Sequence, residues 1–94
     1  MIRLLTPLVF GLSLLASSTA FAAERTVTLA VQNMYCDVCP ITVRKSLERV
    51  PGVIKAVVSY QDKTAIVTYD DSKTDVTALT AATTNAGYPS APKG

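Results

Sequence analysis

The sequence has no histidine and only two cysteines in 94 residues, and these absences exclude several kinds of site. A tetrahedral zinc site needs four ligands, whereas Cys36 and Cys39 are two, so structural zinc would need a dimer or outside donors. Attachment of c-type haem requires a histidine directly after the second cysteine, and Pro40 stands there. The chain also lacks a run of like charge, and its formal net charge is only +2, so nothing indicates a nucleic-acid or anionic-membrane partner.

The first 22 residues are predicted to be a secretory signal peptide. Arg3 supplies a positive charge, residues 4–15 are mostly apolar, and Ala20-Phe21-Ala22 has the small-x-small form that a signal peptidase cleaves. A retained membrane anchor is the alternative, but the apolar run is shorter than the roughly 20 residues that a membrane span needs. Cleavage after Ala22 would export residues 23–94 as one small domain.

Alternation of apolar and polar residues predicts the strands of that domain. In Thr26–Gln32 every second residue is apolar, which is typical of a strand with one buried side. The segments Val53–Tyr60 and Lys63–Tyr69 alternate in the same way around a short turn and are predicted to form a hairpin. A short edge strand is expected to begin at Tyr88. The inward-facing residues of the hairpin are predicted to be Ala56, Val58, Tyr60, Ala65, Val67 and Tyr69.

Helical periodicity predicts two helices between these strands. The first begins at about Val38, has Pro40 in its first turn and ends before Pro51-Gly52, with Val43, Leu47 and Val50 facing the core. The second is capped by Thr74 or Asp75, and Gly87 is its expected C-cap. Its inward residues are predicted to be Val76, Leu79, Ala82 and Ala86.

The predicted order is β-α-β-β-α-β, which is that of an α+β ferredoxin-like fold. In this fold a four-stranded antiparallel sheet carries both helices on one face. Asn33 to Asp37 then form a loop after the first strand, and Asn33 can adopt the left-handed conformation there at small cost.

The two cysteines are therefore predicted to flank the start of the first helix. Unsatisfied N–H groups at a helix N-terminus favour a thiolate at Cys39. Thiolates select soft ions, and two of them suffice for an ion that accepts linear coordination, namely Hg(II), Cu(I) or Ag(I). Neither cysteine is expected to belong to the main core, so we expect alanine at either position to leave the fold nearly as stable.

Two other functions of the pair remain open from the residues alone. A Cys36–Cys39 disulfide would close so short a loop that it could stabilise the fold little. A C-x-x-C pair at a helix start is also the arrangement of thioredoxin-like dithiol oxidoreductases. Those folds, however, are larger than this domain and place the motif among parallel strands, whereas a hairpin follows here.

The motif Met34-x-Cys36-x-x-Cys39 resembles the heavy-metal-associated domain family of copper chaperones and metal-pumping ATPases. The fuller run from Cys36 to Lys45, together with residues 67–71 and 86–90, is more similar still to the periplasmic mercury-binding proteins of bacterial mercury-resistance operons. The resemblance covers essentially all of residues 23–94. A periplasmic Cu(I) or Ag(I) chaperone on the same fold is the alternative within the family.

The resemblance implies a periplasmic carrier without enzymatic activity. Cys36 and Cys39 would bind one Hg(II) per monomer and pass it, by stepwise thiolate exchange, to cysteines of an inner-membrane mercury transporter, MerT. Tyr35 departs from the family pattern and is expected to shield or crowd Cys36. Met34 is interpreted as a core residue that anchors the loop rather than as a third ligand, and Tyr88 either lies near the loop or packs the last strand. The basic residues Arg44, Lys45 and Arg49 are interpreted as a solvated helix face.

Overall fold

The structure is a computed structural model that describes residues 23–93. The predicted signal peptide, residues 1–22, lies outside the described residues. Within residues 23–93 no helix has the length and apolar character needed to cross a membrane.

Six elements follow one another in the predicted order β-α-β-β-α-β. They are β1 (Glu24–Val31), α1 (Cys39–Glu48), β2 (Val53–Ser59), β3 (Thr64–Asp70), α2 (Val76–Asn85) and β4 (Ser90–Pro92). Each predicted strand and helix is present, with bounds that differ from the prediction by at most two residues. The predicted order of the six elements is therefore confirmed.

The four strands form one sheet in the order β2-β3-β1-β4, and every neighbouring pair is antiparallel. Leu29 of β1 lies opposite Ala65 of β3, and Val27 lies opposite Val67, so the inward residues of the two central strands share one face. This is the ferredoxin-like arrangement that the sequence predicts.

Both helices cover that face. Val43 and Leu47 of α1 and Leu79 of α2 are fully buried in the core that the inward residues of the sheet also form. The opposite face of the sheet remains exposed, as Val57 and Ile66 show. The core consists of eleven apolar residues: Leu29, Val31, Met34, Cys39, Val43, Leu47, Ala56, Ala65, Val67, Tyr69 and Leu79.

The ends of the helices follow from local chemistry. Pro40 lies in the first turn of α1, where its missing N–H would have had no partner in the helix. Asp75 caps α2, because its carboxylate accepts a hydrogen bond of 2.9 Å from the backbone N–H of Ala78. Gly87 follows the terminal residue Ala86 and has φ +102°, so the predicted cap glycine lies one position beyond the C-cap.

Two predicted inward residues are exposed. Ala86 lies after the last turn of α2 and faces solvent, and Thr83 is the buried residue of that last turn instead. The hydroxyl of Thr83 is satisfied by the carbonyl of Thr80 at 3.1 Å and by the Ser90 hydroxyl at 2.7 Å, which is why a polar residue can be buried there. Tyr60 lies beyond the end of β2, in the turn, and therefore leaves the core face.

Gly52, which precedes β2, allows a direct test of the packing between the α1–β2 connection and the β3–α2 loop. Gly52 and Gly87 both have φ +102°, but a Cβ at Gly52 would lie 2.8 Å from Cβ of Lys73, whereas nothing lies within 4 Å at Gly87. Both alanine variants carry backbone strain, and only Gly52→Ala adds a clash. We expect Gly52→Ala to lower the free energy of unfolding by at least about 1 kcal/mol more than Gly87→Ala, as measured by urea denaturation. Equal losses would contradict the close approach of residues 52 and 73.

The carboxylate of Asp70, at the end of β3, makes the stability of the fold depend on pH in the acidic range. Its carboxylate accepts hydrogen bonds from the Ser72 hydroxyl at 2.6 Å and the Ser72 N–H at 2.9 Å, and these lower the pKa of Asp70 below 3.8. Because the pKa is lower in the folded chain, the carboxylate stabilises the fold above its unfolded pKa, and this contribution is lost as the pH falls through the folded-state value. In wild type the free energy of unfolding should decrease as the pH falls below about 4, and we expect this decrease to be smaller in Ser72→Ala. Urea denaturation at several pH values measures it. An unchanged pH profile would show that the hydrogen bond from the Ser72 hydroxyl does not persist in solution.

Candidate metal centre

The two cysteines lie at the end of the domain where three connecting segments meet. Residues 33–38, which we call the metal loop, join β1 to α1. The backbone N–H of Gln32, just before this loop, donates to the carbonyl of Pro89 at 2.8 Å. The side-chain amide of Asn33 donates to the carbonyl of Gly87 at 3.2 Å. The β2–β3 turn reaches the same end, because the N–H of Val31 donates to the carbonyl of Lys63 at 2.8 Å. The sheet therefore holds the base of the loop on both sides.

Asn33 begins the metal loop in the left-handed conformation, with φ 69°, as the sequence predicts. Met34, the next residue, is fully buried in the core, which confirms that it anchors the loop. The chain then returns to the surface, and the side chain of Tyr35 is 77% exposed. The loop thus emerges from the core immediately before Cys36.

Cys36 and Cys39 lie in different environments although their Cα atoms are only 5.2 Å apart. Cys36 is exposed in the loop, whereas Cys39 is the first residue of α1 and is 4% exposed. The N–H of Cys36 donates to Sγ of Cys39 at 3.3 Å, and the N–H of Cys39 donates to the carbonyl of Cys36 at 3.1 Å. Sγ of Cys39 therefore has both a backbone donor and the positive end of a helix near it, which favour a thiolate there.

The sequence prediction that neither cysteine belongs to the core is wrong for Cys39 and right for Cys36. Cys39, Val43 and Leu47 are spaced four residues apart, so they lie on the same face of α1, and all three are buried. The spacing to Val43 was visible in the sequence and could have revealed this. Replacement of Cys39 therefore removes core packing as well as a sulfur ligand.

In the structure the two cysteines form a disulfide. This is the oxidised state of the pair, in which neither sulfur can bind a metal ion. Two electrons and two protons convert it to a dithiol, and the same two sulfurs then face one another as ligands.

The donor set indicates which ions could bind to that dithiol. Among residues 23–93 no group of three or more histidine, cysteine or acidic side chains could hold a metal ion. Met34 is the other soft side chain near the site, and it is buried in the core. The arrangement suits a soft ion with two ligands and does not suit tetrahedral zinc or a hard cation with several oxygen ligands.

Lys63 contacts the metal loop, and the sequence analysis did not identify it. Its Nζ donates to the carbonyl of Met34 at 2.7 Å and lies 3.9 Å from the ring centroid of Tyr60 and 5.8 Å from that of Tyr35. No spacing in the sequence relates position 63 to position 34, because the contact arises only when the β2–β3 turn folds beside the loop. Tyr35, predicted to crowd Cys36, thus has its ring near Lys63.

Tyr88 is partly buried against the core, in the segment whose neighbours Gly87 and Pro89 bond to residues 32 and 33, so both interpretations of its position hold in part. The basic residues Arg44 and Lys45 of α1 and Arg49 at its C-cap are exposed as predicted.

Comparison with known proteins agrees with this geometry. The family model described as the heavy-metal-associated domain matches residues 28–89, which include the metal loop and both cysteines. The chain belongs to this family. Among related heavy-metal-associated proteins, a "Mercuric transport protein periplasmic component" of Shewanella putrefaciens is 56% identical over 80 residues, which are 85% of this chain and 88% of that protein.

Two solved structures are also similar. The crystal structure of oxidized MerP from Ralstonia metallidurans CH34 has a TM-score of 0.75 and 51% identity, and the match covers 77% of this chain and all of that one. The mercury-bound form of MerP, described as the periplasmic protein of the bacterial mercury detoxification system, has a TM-score of 0.68 and 53% identity over the same shares. Both an oxidised and a metal-bound state are therefore known for proteins of this fold.

Proposed function

We propose that this chain is a periplasmic Hg(II) carrier in which Cys36 and Cys39 bind the ion. The observation that carries the proposal is the isolated pair of cysteines at one end of the domain, without a third ligand group among residues 23–93. Two thiolates satisfy an ion that accepts linear coordination. The 56% identical relative named as a periplasmic mercuric transport component supports mercury as the ion, and together with the predicted signal peptide it supports the location.

Binding begins from the reduced pair. A thiol reductant supplies two electrons and two protons to the Cys36–Cys39 disulfide and is itself oxidised to a disulfide. Hg(II) then forms one bond to each sulfur while the two thiols release two protons. Because two thiolates balance the charge of the ion, the bound complex is neutral.

Release proceeds by thiolate exchange, starting at the exposed cysteine. An incoming thiolate forms a third bond to Hg(II), and the intermediate carries one negative charge. The bond to Cys36 then breaks, because Cys36 is exposed, whereas Cys39 is buried and accepts a hydrogen bond from the Cys36 N–H. A second thiolate replaces Cys39 in the same way, and the two released sulfurs take up two protons, which leaves the carrier as a dithiol.

The proposed acceptor is an inner-membrane mercury transporter, MerT, whose own cysteines supply the incoming thiolates. One Hg(II) per monomer is bound and released, and no covalent bond of a substrate is made or broken apart from the bonds to the ion. The protein is therefore proposed to be a carrier and not an enzyme. A dithiol oxidoreductase would instead reduce or isomerise protein disulfides with turnover, so a standard disulfide reductase assay on the reduced protein distinguishes the two.

The ion itself is tested by competition. The reduced, purified protein is titrated with Hg(II) and separately with Cu(I), each against an excess of a small-molecule thiol. The proposal predicts one Hg(II) per chain that resists the thiol, and removal of Cu(I) by the same thiol. The donor pair also suits Cu(I), so retention of Cu(I) with no advantage for Hg(II) would make the protein a Cu(I) chaperone and overturn the proposal.

A further inference from the structure

Lys63 lies in the turn between β2 and β3 and is held in place from several sides. Its own backbone has φ 57°, and its carbonyl accepts the N–H of Val31 at 2.8 Å. Its ammonium donates to the Met34 carbonyl at 2.7 Å and lies 3.9 Å from the Tyr60 ring centroid, within the range of a cation–π interaction. Met34 is itself fully buried, so the ammonium is bonded to a fixed point of the metal loop.

The position of this charge relative to the exposed sulfur follows from the chain. Cys36 is two residues after Met34, and two residues span at most about 7 Å, so the ammonium lies within about 10 Å of the Cys36 backbone. Among residues 23–93 the ion pair found joins Arg25 to Asp71. Lys63 therefore forms no ion pair with any of these residues. The nearest acidic residue of the loop in sequence, Asp37, is exposed between the two cysteines and would repel an incoming thiolate.

The charge of the mercury complex changes during exchange. The two-thiolate complex is neutral, and the three-thiolate intermediate carries one negative charge. A fixed cation beside the loop therefore stabilises the intermediate much more than the bound state. A flexible surface lysine would do so less, because its ammonium would not be held near the site.

We propose that Lys63 accelerates mercury exchange. Its ammonium, held by the Met34 carbonyl and the Tyr60 ring, stabilises the anionic three-thiolate intermediate. This inference rests on the proposed function, because it concerns the release of Hg(II) from Cys36 and Cys39. It assigns to Lys63 a role in the rate of transfer rather than in retention of the ion. It also gives Tyr35 and Tyr60 a role, because their rings flank the ammonium.

The test compares three variants of the purified protein, each loaded with one Hg(II). Lys63→Met removes the charge and the hydrogen-bond donor, Lys63→Arg keeps both, and Lys55→Met removes an exposed lysine of β2 as a matched control. The rate of Hg(II) transfer to a small-molecule thiol is measured by stopped flow at low and high salt. Retention of Hg(II) at equilibrium against the same thiol is measured in parallel, and urea denaturation monitors the fold.

At low salt we expect Lys63→Met to slow transfer about fivefold, which lies between the roughly twofold and roughly 16-fold effects that one charge at about 10 Å has at the dielectric constant of water and of a protein surface. Lys63→Arg and Lys55→Met should remain within about twofold of the unmodified protein, and the difference should shrink at high salt, where a 10 Å interaction is screened. Retention at equilibrium should change less than the rate does, since the bound complex is neutral.

Three results would overturn the inference. These are an unchanged rate in Lys63→Met, an equal loss in Lys55→Met, or a loss in Lys63→Met that salt does not reduce, since that last result would indicate altered loop geometry instead of charge. Failure of the unmodified protein to hold one Hg(II) would overturn the proposed function. The first loading measurement therefore separates the two failures.

Discussion

Alanine at Cys36 is expected to abolish tight Hg(II) binding while leaving the fold nearly as stable. A single thiolate remains in Cys36→Ala, and neither histidine nor a third cysteine exists in the chain to replace the lost ligand. Removal of a residue that only hydrogen-bonds to a metal ligand costs about 10- to 100-fold in metal affinity. We therefore expect removal of a ligand itself to cost more than about 100-fold. The measurement is competition for Hg(II) between each reduced variant and a small-molecule thiol.

Cys39→Ala is expected to lose binding to the same extent but to be less stable. Cys39 is 4% exposed and packs in the core, whereas Cys36 is exposed, so only Cys39→Ala should lower the free energy of unfolding of the reduced protein, by about 1 kcal/mol. Val38→Ala is the matched control, because Val38 lies between the cysteines with its side chain 61% exposed. Retention of tight binding by either cysteine variant would show that the ligands lie elsewhere.

Leu47→Ala is expected to have the largest effect on folding. The Leu47 side chain is fully buried where α1 packs on the sheet, and truncations of this kind cost about 2 to 5 kcal/mol. The core of a domain of this size rarely supplies more than about 3 to 5 kcal/mol of stability, so much of the variant should be unfolded without denaturant. Circular dichroism together with urea denaturation of the reduced protein measures this directly.

Ile41→Ala on the same helix is the control for Leu47→Ala. Ile41 is 46% exposed, and we expect its truncation to cost less than about 1 kcal/mol. A urea midpoint unchanged by Leu47→Ala would mean that the buried face of α1 is wrongly assigned. Similar losses for the two variants would have the same meaning.

Most of the fold could be predicted from the sequence because one face of each element is apolar. The alternation in Thr26–Gln32 and the four-residue spacing of Val43 and Leu47 each predict which side is buried, and the structure confirms both. The exceptions lie at the ends of elements. Tyr60 and Ala86 continue the apolar pattern but fall just beyond β2 and α2, where the backbone turns away from the core.

The candidate site was predicted in part. The C-x-x-C spacing, the absence of histidine and the proline after Cys39 are local features, so the sequence predicts a two-sulfur site at a helix start. The burial of Cys39, by contrast, depends on how α1 lies on the sheet, and a helical pattern read from Val43 onward did not extend to it. Lys63 was missed because the loop residue to which its ammonium donates, Met34, is 29 residues away in the chain, and Tyr60 in the same turn does not indicate that contact.

By itself the sequence determined the order of the six elements, the pair of sulfurs and the class of ion that two thiolates can bind, because each of these depends on residue type and short spacing. Only the tertiary structure decided which cysteine is exposed, which one is packed in the core, and which cation stands beside the loop. Those properties depend on packing and on contacts between segments distant in the chain. The geometry of the folded sheet brings the β1–α1 loop, the β2–β3 turn and the segment before β4 together at one end.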